Sequence, residues 1–250
     1  MTRFSRYLIA ALTLPLMLAP GAFAAEQIGK ALAITVTVSG DNGILRASSP
    51  IHRDERIRAS NSGTGQFEFR DGTKLAVGPN SSVVLDRSIF AGDSTFQSLT
   101  LKATRGTFRW VSGTSKSSAY KVNTPFGTLG VRGTVVDVYV GSSTAAVVIL
   151  EGHATFCGND GTCKRLERGC DIVRANRKGL LDDSTEQSKT AVSGVRNEVS
   201  FPFLMGTQKL SKPFQVGGGK CGLSASARNP NKAKGGDGVK SDEGPSNGTD

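Results

Sequence analysis

The sequence predicts an all-β protein: a sandwich or jelly-roll-like domain of about a dozen short strands, with a short β-solenoid or roll as the alternative. Three observations carry this expectation. Apolar and polar residues alternate at period two in run after run, as in Ala33-Ile-Thr-Val-Thr-Val38 and Gly106-Thr-Phe-Arg-Trp-Val111. The 31 glycines and nine prolines punctuate those runs as turn signals do. No amphipathic helical period interrupts the series between residues 33 and 175, and the lack of a fixed-period repeat weighs against the solenoid.

In chain order, Glu26 to Lys30 reads as a loose leader into a first strand over 33–38. Ser39-Gly-Asp-Asn-Gly43 is a turn cluster, and Ile44-Leu45 and Ile57-Arg-Ala59 are short strands around Pro50. Gly65 to Arg70 sets Phe67 and Phe69 on one face and Gln66, Glu68 and Arg70 on the other. Asp71-Gly72 then turns the chain into Lys74–Val77, a hairpin signature. Val83–Leu85, Leu99–Ala103, Gly106–Val111, Tyr120–Val122, Val135–Val140, Ala145–Leu150, His153–Phe156 and Cys170–Ala175 complete the strand list. Phe67, Phe69, Phe108 and Trp110 are read as core, with a carbohydrate-stacking patch as the minor alternative.

The ends have a different character. Arg3 and Arg6, the apolar run from Tyr7 to Ala19 and Ala22-Phe-Ala24 make residues 1–24 a cleavable signal peptide, too short and too proline-broken for a span. The domain then occupies 33–175, a C-terminal extension 176–215, and a Gly/Ser/Asn/Lys-rich disordered tail 216–250. Within the extension, residues 182–196 form a candidate helix, and Phe201-Pro-Phe-Leu-Met205 an apolar cluster that packs back on the domain. No later segment is apolar for long enough to cross a bilayer, so localisation is periplasmic or secreted.

Removing Arg3 and Arg6 lowers the formal charge from +10 to +8. The basic residues are scattered and lack aromatic stacking partners, which argues against nucleic acid and for a solvated face. Four cysteines in an exported chain imply two disulfides. Cys157 and Cys163 flank a Gly-Asn-Asp-Gly loop, which favours Cys157–Cys163 with Cys170–Cys221; Cys157–Cys170 is the close competitor.

The central stretch runs Tyr120-Lys-Val-Asn-Thr-Pro-Phe-Gly-Thr-Leu-Gly-Val-Arg-Gly-Thr-Val-Val-Asp-Val-Tyr-Val140. Its Val122, Thr124, Pro125, Gly127, Gly130, Val131, Arg132, Gly133, Thr134 and Val138 resemble the signature of the FecR domain, the periplasmic module of ferric-citrate-type regulators. Phe67–Leu75 with its Asp71-Gly72, Pro79–Ser82, Leu99–Phe108 and Val147–Phe156 follow the same pattern in order. The resemblance implies a β-only domain that receives a signal from an outer-membrane transporter within a sigma-regulator system. It also implies an anti-sigma segment and a membrane span, neither of which is legible in this sequence. Arg132, set among apolar and glycine residues, is expected to be a buried structural arginine paired with Glu68, Asp71 or Asp137, with an anion or partner contact as the alternative.

Signs of chemistry are few. His52 and His153 sit in no metal-binding frame, there is no Gly-x-Ser-x-Gly elbow, and the cysteine spacing is not that of a zinc site. The reading is a non-enzyme without cofactor or metal: an exported envelope binding or signalling module whose partner is an envelope protein. The alternative is an adhesin-like module that binds surface glycan.

Overall fold

The computed structural model describes residues 25–181, 190–217 and 219–225. The signal peptide and most of the tail expected from the sequence lie outside these residues, as does the 182–189 part of the candidate helix. Residues 190–196 form a turn with a Val192–Val195 bridge instead of helix.

The described residues hold fifteen strands joined in one hydrogen-bonded network. In order they are β1 (Gln27–Thr35), β2 (Val38–Gly40), β3 (Gly43–Ile44), β4 (Pro50–His52), β5 (Arg56–Ala59), β6 (Thr64–Phe69), β7 (Lys74–Val77), β8 (Ser82–Phe90) and β9 (Phe96–Val111). There follow β10 (Tyr120–Thr124), β11 (Gly127–Val140), β12 (Thr144–Gly158), β13 (Cys163–Leu166), β14 (Ile172–Asn176) and β15 (Gly179–Leu180). Two one-turn helices, α1 (Asn197–Ser200) and α2 (Pro202–Met205), lie in the C-terminal segment. The fold is thus all-β, as expected. Two details differ. Glu26–Lys30 is no loose leader, because β1 starts at Gln27 and pairs with β4 and β6. And three strands are long, because glycines that look like strand ends in the sequence lie inside β9, β11 and β12.

Those three strands organise the molecule, since each changes partners partway along. β9 pairs β8 and β10 through its first part and β7 and β11 from Gly106 onward. β11 pairs β10 before Gly133 and β9 after it. β12 pairs β14 before Gly152 and β13 after it. The network therefore divides into two halves that share bent strands, the way sandwich corners are made. The first half runs β4-β1-β6-β7-β9-β11-β12-β14-β15; the second runs β3-β2-β5-β8-β9-β10-β11-β12-β13. Inward-facing residues of both halves form one core. Leu75, Phe108, Trp110 and Val138 of the first half meet Leu101 and Val122 of the second around a void of about 10 Å³. The Phe69, Phe96, Trp110 and Tyr120 rings pack edge-on or tilted through it.

The first half is also covered on its outer side. Phe201, Met205 and Leu223 of the C-terminal segment pack on Ala146 and Val148, while Phe203, Leu210 and Phe214 pack on Ala76. Gln66 is buried for this reason: its Oε1 accepts from the Ser211 N–H (2.9 Å) and hydroxyl (2.7 Å). No described residue covers the outer side of the second half in this way, and Lys121, Thr128, Arg132, His153 and Arg165 are exposed there.

Candidate partner-binding face

Both disulfides join the residues favoured from the loop spacing. Cys157 and Cys163 face each other across the β12–β13 hairpin, and Cys170 ties to Cys221, fastening the C-terminal segment to the sheet. Two disulfides are the mark of an oxidising, non-cytoplasmic compartment.

Asp71 opens the β6–β7 turn and does more than a turn residue must. It is 3% exposed, and its carboxylate accepts hydrogen bonds from the hydroxyls of Thr73 (3.0 Å), Ser115 (2.7 Å) and Tyr120 (2.6 Å), as well as from the Thr73 N–H. Its backbone carbonyl takes the N–H and hydroxyl of Thr114. The 112–115 loop is thereby pinned to the turn that Gly72 completes at φ +80. Burial, then the hydrogen bond to Asp71, pushes the Tyr120 phenol above its ordinary range, while Thr73 and Ser115 pull it part of the way back.

The central signature folds around these anchors. Thr124 closes the β10–β11 hairpin: its hydroxyl accepts from the Phe126 N–H and donates to the Gly127 carbonyl, with Pro125 and Phe126 as the loop. Gly133 (φ +56) and Thr134 form the bulge between the two registers of β11. The Thr134 hydroxyl accepts from the Arg132 N–H (2.8 Å) and donates to the His153 carbonyl (2.5 Å). Opposite the bulge, Gly152 admits no side chain, because a Cβ there would overlap the Gly133 carbonyl oxygen. Ser112 locks the same point to β9, taking the N–H of Thr134 and the indole N–H of Trp110.

Arg132 corrects the expectation drawn from its apolar setting. Leu129 and Val131 point inward, so period-two alternation turns Arg132 outward, and it is exposed and, among the described residues, forms no ion pair with Glu68, Asp71 or Asp137. Asp71 is bound as above, and Asp137 pairs with Arg109 through two hydrogen bonds of 2.6 and 2.7 Å. That pair is buried beneath the C-terminal segment, where Arg109 Nη1 also donates to the Phe214 carbonyl (3.3 Å). Burial pushes the Asp137 carboxyl up, and the hydrogen bonds and charge of Arg109 restore part of the shift.

Around Arg132 the registers assemble a basic basin. Lys121, Gly130, Thr155 and Arg165 lie in one row across β10 to β13, and Arg132 faces His153 in the next. The concavity has a volume of about 960 Å³, with Glu167 at its edge. Gly130 is its floor. A Cβ built there meets only the Thr155 carbonyl oxygen, at 3.9 Å, so neither clash nor backbone geometry demands glycine. What the missing side chain does is leave the floor at backbone level between cations. The sequence reading gave Lys121 and Arg165 no site role and weighed His153 only as a ligand. The Cys157–Cys163 pairing with strand alternation would have set Arg165 beside Thr155. Phe67, Phe69, Phe108 and Trp110 are all core, so the carbohydrate-stacking alternative loses its platform. Among the described residues no three His, Cys, Asp or Glu side chains are placed to hold a metal ion, and no helix is long and apolar enough to cross a membrane.

Residues 55–155 match the family described as FecR protein. That class is regulatory and not typically enzymatic. Two crystal structures of a provisionally assigned anti-sigma factor from Parabacteroides distasonis are similar at 15% and 16% identity, with TM-scores of 0.41 and 0.39. Each alignment covers 49% of this chain and 55% of that one, so the chain spans about half of those proteins. No curated protein matches the chain.

Proposed function

We propose that this chain is an exported, non-catalytic regulatory module of the bacterial envelope, and that it recognises an acidic segment of a protein partner through the basin around Arg132. The observation that carries this reading is the arrangement of Lys121, Arg132, His153 and Arg165 around the bare floor of Gly130, on the uncovered side of the FecR-like domain. Three permanent cations on adjacent strands suit carboxylates, arginine above all through its planar fork. The basin contains no exposed aromatic ring on which a sugar or base would stack. The signal peptide, cleaved after Ala24, delivers the module to the periplasm or cell surface.

A photoreactive residue replacing Thr155, activated in the living cell, tests the reading. The expected product is one protein adduct, identified by mass spectrometry. It disappears with Arg132→Glu or Arg165→Glu and weakens as salt is raised, as contacts between exposed charges do. Adducts to lipopolysaccharide or glycan alone would refute it.

A further inference from the structure

A second concavity shares no lining residue with the basin around Arg132, and its chemistry differs. It opens between the end of the first half-sheet and the C-terminal segment, with a volume of about 640 Å³. This is within the range of about 300–1,000 Å³ common for small-molecule sites. Thr107 of β9 and Tyr139 of β11 are cross-strand neighbours at its base. Val140, Phe126 and Pro202 make the surroundings apolar, and Val199 of α1 borders it while 47% exposed.

Two further features lack an explanation within the fold. The hydroxyl of Thr107 is buried, and it has no hydrogen-bond partner among the described residues. A buried hydroxyl without a partner is costly. Arg105, beside the β9 bend, and Arg177, in the β14–β15 turn, both line the concavity, and both are exposed. No ion pair is formed by either among the described residues. Glu198, the only carboxylate in the lining, is already engaged in an interaction of its own.

We propose that this groove binds a single-chain anionic amphiphile: an apolar chain along Val140, Phe126 and Val199, and a carboxylate or phosphate head between Arg105 and Arg177. An apolar floor beside two unpaired guanidinium groups is complementary to that class and to neither a neutral lipid nor a fully polar anion. The site is independent of the basin around Arg132, and nothing in its recognition requires the protein partner.

Calorimetric titration of the full mature chain with dodecanoate, below its micelle concentration, tests the proposal. Saturable one-to-one binding is expected. Decanoate should bind about fifteenfold more weakly, since it lacks two methylenes and each buried one contributes about fourfold. Arg105→Gln and Arg177→Gln should each weaken dodecanoate about tenfold, and Val199→Glu should abolish binding. All three positions are exposed, so the fold should persist, and Arg132→Glu should change nothing. Dodecanol bound as tightly as dodecanoate, or arginine variants without effect, would overturn the assignment. Sedimentation with phosphatidylglycerol vesicles is the control for source. Vesicle capture without monomer binding would mean a membrane-surface patch, and the groove proposal would fall.

Discussion

Arg109 and Asp137 meet through two hydrogen bonds of 2.6 and 2.7 Å between neighbouring strands, under a segment about a hundred residues further along the chain. Their strands alone would leave the pair facing water. The arrival of Phe203 and Phe214 buries it, and the Arg109 guanidinium sits 5.9 Å from the Phe203 ring centre. Removing one member therefore strands the other in a dry site. Asp137→Leu or Arg109→Met should lose about 3–5 kcal/mol. The double variant Arg109→Met with Asp137→Leu should lose less than either single one, because it strands no charge. Urea unfolding of all four proteins gives the coupling, and strictly additive losses would contradict the account.

Asp71 holds three hydroxyls, one from its own turn and two from distant parts of the chain, so Asp71→Ala should lose at least about 3 kcal/mol, with three hydrogen bonds to a charged acceptor broken. Its partner gives a pH signature. The Tyr120 phenol is raised in the folded state, so the folded protein keeps a proton that the unfolded chain has released above about pH 10. Tyr120 thus adds stability that is complete below that pH and is lost as the pH climbs through the raised folded value. Tyr120→Phe should flatten this alkaline loss while lowering stability at neutral pH by about 1.5–3 kcal/mol, the hydrogen bond to Asp71 being charge-assisted. Denaturation midpoints from pH 8 to 11 for the two proteins decide it.

Local pattern was enough for some of this fold and not for the rest. The Gly65–Val77 hairpin and the Cys157–Cys163 hairpin are legible because turn residues and alternation lie within a few positions of each other. Gly106, Gly133 and Gly152 mislead, because a positive φ looks the same in a turn as in a bend inside a strand. Only the partners on either side decide which it is, and those partners come from distant sequence. Arg109 sits between Phe108 and Trp110 as a solvent-facing residue would; its burial depends on Phe203 and Phe214, which no local reading places over it. Arg132 is the reverse case. Alternation through Leu129 and Val131 already pointed it outward, and its glycine neighbours drew attention to burial instead.

The exposure of Arg132 separates signature residues that hold the fold from those that face a partner. Arg132→Ala should leave stability within about 0.5 kcal/mol, as surface substitutions do. Gly152→Ala should be severely destabilising, since the added carbon meets the Gly133 carbonyl with φ at +78. Thr134→Ala should fall between, losing hydrogen bonds to Arg132 and His153 worth about 1–3 kcal/mol together. Thermal melts rank the three. A melt of Arg132→Ala as depressed as that of Gly152→Ala would return the arginine to an architectural role.

The two disulfides close loops of very different size, with sequence separations of 6 and 51. By loop-closure entropy these contribute about 2 and about 4 kcal/mol. The larger bond also holds the cover over Arg109 and Asp137, through Leu223 and the residues around Cys221. Reduction should therefore speed amide exchange first in residues 190–225 and then on the β9 and β11 strands beneath them. The second half-sheet, whose core contacts are with the inner face alone, should keep its protection. Cys170→Ser with Cys221→Ser should reproduce the pattern and Cys157→Ser with Cys163→Ser should not. Uniform loss of protection across both halves would show that the cover and the sandwich unfold as one unit.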